Sequence, residues 1–425
     1  MSSANGPALS PAAVMGSGLC IGCGGCAALG RNEGAFMTMD AFGQYKPAGP
    51  ARFLRTPTTE LAEICPFSPH AADEDDLARP RFGSENRDDR LGWLDGAYVG
   101  AVAEGDFRSN GSSGGLVSWV AAELLRLGLV DGVAHVRPED GSGTFFRYGI
   151  SRTAEELHQG AKSRYYPVEL SGVLDEIRRT PGRYAVIGIP CFIKAIHLQR
   201  RHDPILAERI AFTLGLFCGH MKSARLVESF AWQLGTTVDE VRRPEYRLKD
   251  PNRPASWYTA HLTLKDGSTR QKDWWHLADG DWGAGFFMNF ACNFCDDVVA
   301  ETADIAFGDA WVEPYSSDGR GTNVVVVRSR QLNDIMRTAM AENRLDLQAV
   351  DADYIVNTQA AGFRQRREGL AYRLTWWHWG IRPRKRVQPS RNLALRRKLI
   401  YRTRYTISAW SHRLFWLARK TGRPA

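Results

Sequence analysis

Three cysteines stand close together near the N-terminus, and this short run limits the fold more than any other stretch of the sequence. Cys20, Cys23 and Cys26 follow one another at three-residue steps, with mostly glycine between them. Glycines let the backbone wrap tightly and turn its N–H groups toward a negatively charged, sulfur-rich cluster. A zinc site usually takes two separated Cys-x-x-Cys pairs. The run therefore favours an iron-sulfur site over zinc or metal-free structural thiols.

Length and composition describe an ordinary globular protein. The chain has 425 residues, of which 44% are hydrophobic and 24% charged, which is enough for two or three domains. No apolar run is long enough to predict a membrane span, and residues 1–18 lack the pattern of a secretory signal. We therefore expect a cytoplasmic protein, in which the eight cysteines are reduced and more plausible as metal ligands than as disulfides.

A fourth cysteine could complete the N-terminal site. Cys65 precedes Pro66, and Cys-Pro often ends a ferredoxin-type ligand run because proline fixes the turn that presents the thiolate. Between the run and Cys65, residues 34–50 predict a short hairpin with its turn at 40–43. The following stretch, 71–90, is rich in charge, proline and glycine, which predicts a linker.

From residue 97 onward the pattern alternates between strands and helices, which predicts an α/β body. Predicted strands are 97–103, 131–137, 183–189, 210–217 and 324–327, and predicted helices are 116–127, 153–159 and 169–179.

A stretch of small polar residues and glycines lies just before the predicted helix 116–127. Bare N–H groups and the positive end of a helix could receive a diphosphate at such a place. A turn that only caps the helix is the alternative, and for this pattern alone it is the commoner one. The stretch consists of Ser109, Asn110, Gly111, Ser112, Ser113, Gly114 and Gly115.

Two further cysteines end predicted strands, and a pair follows downstream. Cys191 comes after strand 183–189 and Cys218 after strand 210–217, so both fall at the edge where α/β sheets place ligands. Cys292 and Cys295 form a Cys-x-x-Cys pair. Either strand-end cysteine alone would more often be a core residue, but together the four complete a second set, which uses all eight cysteines in two groups of four.

Several short motifs in this order resemble the coenzyme F420 hydrogenase/dehydrogenase beta-subunit family, which also includes 7-hydroxymethyl chlorophyll a reductase and ferredoxin-dependent divinyl reductases. The likeness covers roughly residues 19–330. One departure is that Leu29-Gly30 stands where many members have Cys-Pro, so the first site depends on the distant Cys65. The motifs are the Cys20/Cys23/Cys26 run and residues 112–115, 162–165, 188–191, 217–220, 292–295 and 303–309.

The resemblance implies a mixed α+β and α/β fold. Its parts would be a small ferredoxin-like N-terminal iron-sulfur segment, a mixed-sheet flavin-binding catalytic body and a basic helical C-terminal tail. The implied divisions are an iron-sulfur segment 1–70, a linker 71–95, a flavin-binding N-terminal domain of the beta-subunit type 96–195, a C-terminal domain of that type with the second cluster 196–375, and a basic amphipathic tail 376–425.

The resemblance also implies the chemistry of an iron-sulfur flavoprotein oxidoreductase. Single electrons from a ferredoxin-like donor would pass through two 4Fe-4S clusters to FAD and on, as hydride, to a small organic acceptor. One cluster would be held by Cys191, Cys218, Cys292 and Cys295 and the other by Cys20, Cys23, Cys26 and Cys65, with the 109–115 stretch and Lys162 near the FAD.

Two other functions remain open at this point. One is an F420-dependent oxidoreductase or a hydrogenase/dehydrogenase beta subunit, for which coenzyme F420 itself is the substrate. The other is a non-catalytic electron-transfer or assembly partner in a surface-polysaccharide pathway.

Two residues are candidates for proton handling or ligand binding. His220, beside Cys218, could donate a proton to substrate or a hydrogen bond to a cluster sulfur, and a solvated or structurally bonded histidine is the alternative. Asp309 could bind a ligand hydroxyl or simply cap a turn. Trp274, Trp275, Trp282, Phe286 and Phe287 could wall a flat substrate, although core packing is expected for most of them.

The C-terminal tail differs from the body in its charge. No acidic residue follows Glu368, and the Lys and Arg beyond it exceed the net charge of +8 of the whole chain, so residues 1–368 are net acidic. Apolar residues among the cations are typical of helices that lie on anionic membranes, which would make the protein peripheral on the inner membrane face. A solvated helix packed on the body is nearly as well favoured, and contact with nucleic acid is the least favoured of the three.

Overall fold

The structure is a computed structural model that describes residues 7–83, 86–139, 143–376 and 380–421. The ends of the predicted N-terminal segment and tail, residues 1–6 and 422–425, lie outside this range. Strands in the described residues are β1 Phe36–Met39, β2 Tyr45–Ala48, β3 Arg87–Asp88, β4 Gly92–Trp93, β5 Gly96–Val102, β6 Gly132–Pro138, β7 Phe146–Ser151, β8 Tyr184–Gly188, β9 Ile210–Leu216, β10 Val241–Leu248, β11 Thr259–Leu264, β12 Thr269–Asp273, β13 Ile305–Asp309, β14 Asn323–Val327 and β15 Leu345–Ala349.

Helices occur along the whole described chain, and most are short. They are α1 Pro11–Gly16, α2 Gly25–Leu29, α3 Ala51–Arg55, α4 Thr59–Ile64, α5 Glu74–Phe82, α6 Phe107–Asn110, α7 Leu116–Arg126, α8 Ala154–Gln159, α9 Ser171–Arg179, α10 Pro190–Arg200, α11 Pro204–Arg209, α12 Arg225–Gln233, α13 Arg330–Ala341, α14 Ala352–Thr358, α15 Ala360–Phe363, α16 Gly369–Arg373 and α17 Leu395–Thr421, with a π-helical turn Arg364–Glu368 between α15 and α16.

A large mixed sheet forms the centre of the molecule. Its order is β15-β5-β14-β13-β9-β8-β6-β7, with the four strands from β13 to β6 parallel and the outer pairings antiparallel. Strand β14 shows why its valine run is continuous: Val325 and Val327 pack in the core beneath α7 and α13, whereas Val324 and Val326 pack on the opposite face. A strand covered on both faces has no polar alternation. The predicted mixture of α and β structure around a mixed sheet is confirmed.

Most of the predicted elements of the body are present within a residue or two of their predicted limits. The predicted hairpin at 34–50 is also present as β1 and β2, closed by hydrogen bonds of Asp40 with Gln44 and Gly43. The separate antiparallel sheet β10-β11-β12 was not predicted. Its strands alternate weakly between buried and exposed residues, and β12 is exposed along nearly its whole length.

The predicted linker 71–95 differs in the structure, because it contains helix α5. The helix begins with a capping box in which Asp73 accepts from the amide of Asp76 and Asp76 accepts from that of Asp73. Glu74 and Leu77 are buried, so this segment is packed and does not merely connect two parts. The acidic residues that suggested a solvated linker are the helix cap and one side of a buried ion cluster.

This buried ion cluster joins four distant parts of the chain. Lys194 of α10 pairs with Glu74 at 3.0 Å, Lys385 pairs with Asp296 at 3.0 Å, and Arg386 pairs with Glu301 at 2.6 Å. Removing one partner of a buried pair leaves an uncompensated charge that costs roughly 3–5 kcal/mol. The cluster therefore fixes α5 and the segment around residue 385 to the body.

Helix α17 covers the body with one face and presents the other to solvent. Its residues Tyr401, Ser408 and Phe415 are buried against the body, whereas its residues Leu399 and Trp410 are exposed. Within the residues that the structure describes, no helix combines the length and apolarity needed to cross a bilayer.

His412 anchors α17 in a pH-dependent way. Its Nε2 lies 3.1 Å from the Ser223 hydroxyl and 3.3 Å from the Gln44 amide nitrogen, and burial lowers the pKa of His412 to about 4. An unfolded histidine has a pKa near ~6.5, so the stabilising contribution is complete above that pH and is lost as the pH falls toward 4.

We predict that acidification from pH 7 to pH 5 lowers the free energy of unfolding of the wild type by about 1–2 kcal/mol more than that of His412→Gln. Glutamine keeps a polar group for Ser223 but does not titrate. Chemical denaturation at both pH values measures the difference, and equal losses in the two proteins would contradict the assignment.

Candidate functional site

The first four cysteines meet around one small cavity of about 30 Å³. Cys20 and Cys23 come from the loop that leads into α2, Cys26 lies in the first turn of α2, and Cys65 follows directly after α4. The bridge between Leu9 and Thr58 and the hydrogen bond from Lys46 Nζ to the Cys20 carbonyl (2.7 Å) hold the two segments in place. The predicted approach of Cys65 to the run is thus present in the structure.

Glycine is required in the loop because the chain turns against other backbone. Gly22 and Gly24 have φ values of 79° and 84°, which favour glycine. A Cβ at Gly22 would lie 2.5 Å from the Tyr45 carbonyl oxygen. Because the loop is tight, the Gly22 amide forms a hydrogen bond with the Cys20 thiol, and the Gly25 amide forms one with the Cys23 thiol.

The other four cysteines line a second cavity of about 10 Å³. Cys191 lies in the first turn of α10, directly after β8, and Cys218 follows β9, so the two parallel strands bring them to the same sheet edge as predicted. The pair Cys292 and Cys295 arrives on a 3₁₀ turn, where the Met221 amide donates to Cys292 Sγ at 3.3 Å. Arg366 is the one charged residue that lines this cavity in the described chain.

The two cavities are direct neighbours. Ile21 and Phe67 line both of them. Cys23 of the first set also lies close enough to Cys191 of the second set to raise the pKa of the Cys191 thiol. All eight cysteines are therefore gathered at one place between the N-terminal segment and the edge of the central sheet.

Burial controls the chemistry of these thiols. It raises the pKa of Cys23, Cys65 and Cys218 to about 12 and that of Cys292 to about 11, with neighbouring thiols adding to the effect in each case. Buried neutral thiols repel one another only weakly, whereas the negative charges of four buried thiolates need a cationic group among them.

These surroundings fit iron-sulfur clusters in the nature of their donors. Each cavity is lined by four thiols and otherwise almost entirely by apolar side chains, and backbone amides point at several of the sulfurs. In the described part of the chain, no group of three or more His, Cys, Asp or Glu side chains is arranged so that it could hold a metal ion. The fit therefore rests on the donor set and the cavities.

The stretch 109–115 binds mostly to the protein itself. Ser113 donates to the Thr322 carbonyl at 2.9 Å, and the first amide of α7, from Leu116, donates to the Asn323 side chain at 3.2 Å. Gly114 and Gly115 pack so closely on neighbouring backbone that a Cβ at either would lie within 3 Å of it. Ser109, Asn110 and Gly111 belong to α6 or to its end, and their bonds run back to residues 106 and 107.

A polar group on β10 contacts this stretch and was not predicted from the sequence. Arg247 pairs with Asp309 at 3.0 Å, and just beyond the strand Lys249 Nζ donates to the Ser113 carbonyl at 2.9 Å. Glu245 pairs with Lys162, which has a positive φ of 83°. The alternation Glu245-x-Arg247-x-Lys249 was the available signal, because such residues share one face of a strand.

Lys162 and Asp309 are thus brought to one polar region together with the stretch 109–115. The Ser163 amide donates to the Ser112 hydroxyl at 2.8 Å, which joins the two predicted loops. Burial lowers the pKa of Lys249 to about 8, with Arg108 and Arg247 adding to the effect. The region offers both cationic and hydroxyl groups to a bound molecule.

His220 lies outside the lining of either cavity. Its ring stacks on Trp282, with centroids 4.3 Å apart. Both ring nitrogens are buried and have no hydrogen-bond partner within the described part of the chain. Burial, followed by the charge of Lys222, holds the pKa of His220 well below its usual range, so the ring is neutral at pH 7. Trp282 also contacts Tyr165 at 4.6 Å, and this aromatic series lies between Cys218 and the polar region around Arg247.

The other predicted aromatic residues serve mainly the core. Trp274 and Phe287 are buried in a hydrophobic cluster with α12, whereas Trp275 is 68% exposed.

Two family models match consecutive parts of the chain. The model described as coenzyme F420 hydrogenase/dehydrogenase, beta subunit N-term, matches residues 97–175, and the corresponding C-terminus model matches residues 182–353. Together they cover more than half of the chain. The chain belongs to the coenzyme F420 hydrogenase/dehydrogenase beta-subunit family.

Relatives of this beta-subunit family member have oxidoreductase names. The coenzyme F420-dependent sulfite reductase of Methanocaldococcus jannaschii is 22% identical over 259 residues, which are 57% of this chain and 37% of the relative. The chain therefore spans little more than a third of that protein. A chain of the F420-reducing [NiFe] hydrogenase complex from Methanosarcina barkeri has the same fold, with a TM-score of 0.53 and 17% identity over 70% of this chain and 98% of its own.

The family matches divide the site unevenly. Cys191, Cys218, Cys292 and Cys295 lie within them, whereas the first four cysteines precede them and Arg366 follows them. The chain is a beta-subunit-like member of an oxidoreductase family whose second thiol set belongs to the matched body.

We predict that the thiols of both cavities are nearly unreactive in the folded, metal-free chain at pH 8. Buried thiols with pKa values of about 11–12 are protonated there, so alkylation by iodoacetamide should be at least ~100-fold slower than in urea.

Ser256→Cys supplies a matched control, since it places a thiol at an exposed position. Peptide mass spectrometry identifies the alkylated residues. If Cys23 or Cys292 were modified as fast as the cysteine at 256, the cavities would be open and the assignment would fail.

Proposed function

We propose that the protein is an iron-sulfur flavoprotein oxidoreductase. In this proposal each thiol cavity holds a 4Fe-4S cluster, and the polar region around Arg247 and the stretch 109–115 holds FAD. Electrons enter singly from a ferredoxin-like donor and leave as hydride to a small organic acceptor. The observation that carries the proposal is the wall of Ile21 and Phe67 shared by the two thiol cavities.

Adjacency matters because one-electron transfer needs short distances and little rearrangement. Clusters and flavin, when bound, supply the conversion between single electrons and hydride. The chain itself keeps water from the thiols, through the apolar lining of both cavities, and provides the aromatic series His220, Trp282 and Tyr165 beyond the second one.

Arg247 and Asp309 would bind and orient the molecule at the polar region, beside the loop that Lys249 holds. Lys249 fixes the loop through three backbone carbonyls, among them Ser113, and Arg247 lies over the Tyr258 ring at 4.3 Å. A neutral His220 has one ring N–H that can donate a hydrogen bond, but it lacks the second ring proton that an imidazolium would transfer. We therefore propose a hydrogen-bonding role for it in preference to proton donation.

A second candidate is an F420-dependent oxidoreductase or dehydrogenase beta subunit. The names of both relatives favour it, since each protein is described as dependent on F420 or reducing it. In this version coenzyme F420 takes the place of the organic acceptor. A non-catalytic electron-transfer or assembly partner remains the third candidate.

Anaerobic purification tests the proposal. A brown protein with flavin absorbance and about eight irons per chain is expected. A colourless protein that contains zinc would refute it. Addition of F420 to the reduced holoprotein then separates the first two candidates, because only the F420-dependent enzyme loses F420 absorbance at 420 nm at the rate of turnover.

We predict that Cys20→Ser loses about half of the iron, keeps FAD, and no longer passes electrons from reduced ferredoxin to the flavin. Cys218→Ser is the matched variant for the second site and should lose the other half. Iron analysis, flavin fluorescence after denaturation and stopped-flow absorbance provide the three readouts. In this proposal, electrons enter at the first cavity and the flavin binds elsewhere, so loss of FAD from Cys20→Ser would contradict the proposal.

We also propose that α17 lies on an anionic membrane surface. Leu395, Leu399, Trp410, Leu414 and Leu417 are each more than half exposed along the helix, and Lys and Arg flank them without an acidic residue. An apolar stripe flanked by cations matches a surface of anionic lipid headgroups over acyl chains.

The test is sedimentation with vesicles of phosphatidylglycerol and phosphatidylcholine. Replacing Leu399, Trp410 and Leu414 by Gln should weaken binding by at least about tenfold, because three large apolar side chains no longer enter the bilayer. Trp275→Gln, an exposed tryptophan elsewhere, is the control. Deletion from residue 382 would be a poor test, since Lys385 and Arg386 are buried in the ion cluster. Equal binding of the triple variant and the wild type would refute a membrane role.

A further inference from the structure

Arg366 places a buried positive charge at the second thiol cavity. Arg366 is 2% exposed and lines the cavity together with the four cysteines. Its Nη2 donates to the carbonyl oxygens of Cys218 and Gly219, at 2.8 Å each. Its Nε and Nη1 are buried and have no hydrogen-bond partner among the residues that the structure describes. A guanidinium held in this way has two N–H-bearing nitrogens left for something inside the cavity.

No carboxylate pairs with Arg366 in the described structure, so its charge faces the thiols. After burial, it is the first influence on the thiols of Cys218, Cys292 and Cys295, and in each case it lowers the pKa. The same three sulfurs, together with Asp297, raise the pKa of Arg366. The nearby Asp296 is already paired with Lys385.

The residue comes from a part of the chain that the family matches do not reach. They end at residue 353, and Arg366 stands in the π-helical turn 364–368. A π turn widens the helix by one residue and often occurs at functional sites. Here it aims a side chain of the C-terminal segment at a cavity built by the family body.

The first cavity has no cation in its described lining, which contains neither Lys nor Arg. Lys46 is the first influence after burial on the Cys20 thiol and lowers its pKa, but it acts from a half-buried position outside the lining and donates to the Cys20 carbonyl. Lys194 acts on Cys65 while paired with Glu74. The two thiol sets therefore differ in the cation they face.

We propose that Arg366 is a positioning and charge-tuning residue that makes the group in the second cavity easier to reduce than the group in the first. The inference rests on the proposed function, because it assumes that both cavities hold iron-sulfur clusters. Reduction adds one electron to a cluster and so increases its negative charge, which a nearby buried cation stabilises. Electrons that enter at the first cavity would then run downhill to the second and onward to the polar region.

The experiment is a redox titration of the anaerobic holoprotein with dithionite, followed by electron paramagnetic resonance. The wild type should show two one-electron transitions. Arg366→Gln keeps a donor for the Cys218 carbonyl but removes the charge, and should shift only the higher transition to a lower potential. Arg366→Lys keeps the charge and should retain the order of the two transitions.

Arg328→Met is the matched control. Arg328 is also buried, and its guanidinium donates to four backbone carbonyls, but it does not line the cavity. The reduction potentials of both transitions should be unchanged in this variant. That result would show that the loss of any buried guanidinium is not enough to shift a potential.

Several results would overturn the inference. They are unchanged potentials in an Arg366→Gln protein with full iron content, a shift of the lower transition in place of the higher, or a shift in Arg366→Lys as large as in Arg366→Gln. If Arg366→Gln does not fold, the order of transitions in Arg366→Lys decides. A wild-type protein without iron would instead refute the proposed function. Failure of the proposed function is thus distinguishable from failure of the inference about Arg366.

Discussion

The buried ion cluster of Lys194, Lys385 and Arg386 with Glu74, Asp296 and Glu301 is the interaction on which the rest of the arrangement depends. Charges removed from water cost several kcal/mol each, so the cluster is stable only when all of its partners arrive. Those partners come from the helix after the first thiol set, from helix α10, which carries Cys191 in its first turn, from the residues after Cys295, and from the C-terminal segment. The cluster thus ties together the same segments that bring the cysteines into place.

Gathering the thiols has a corresponding physical requirement. Eight side chains from five stretches of the chain must meet in an apolar environment, where neutral thiols are tolerated and thiolates are not without a cation. Ile21 and Phe67 keep the two cavities separate while leaving them adjacent. Arg366 adds the cation to the second one, and it does so from a segment outside the matched family body.

Several site features could be predicted from the sequence because their signals are local. The tight run Cys20/Cys23/Cys26 and the Cys292/Cys295 pair are metal-ligand spacings, and the order of strands predicts that Cys191 and Cys218 share a sheet edge. Helix α5 was misread as a linker, since its acidic capping box resembles a solvated charge run until its partners are known. The alternation of Glu245, Arg247 and Lys249 along β10 and just beyond it was a local signal for a polar strand face, but the partners of Arg247 and Lys249 depend on what lies opposite in space. The role of Arg366 had no local signal.

The sequence by itself determined the mixed α/β body, because the alternation of strands and helices follows from periodicity, a property of neighbouring residues. Its motifs also carried the resemblance to the family that the two family models show. Only the tertiary structure decided that Cys65 lines the first cavity, that the two sets share a wall, and that Arg366 reaches the second cavity. It also decided that basic residues of the tail are split between a buried ion cluster and an exposed helix face. Such placements depend on burial and charge pairing between residues that lie far apart in the sequence. No local spacing or periodicity in the sequence indicates which of these residues will meet.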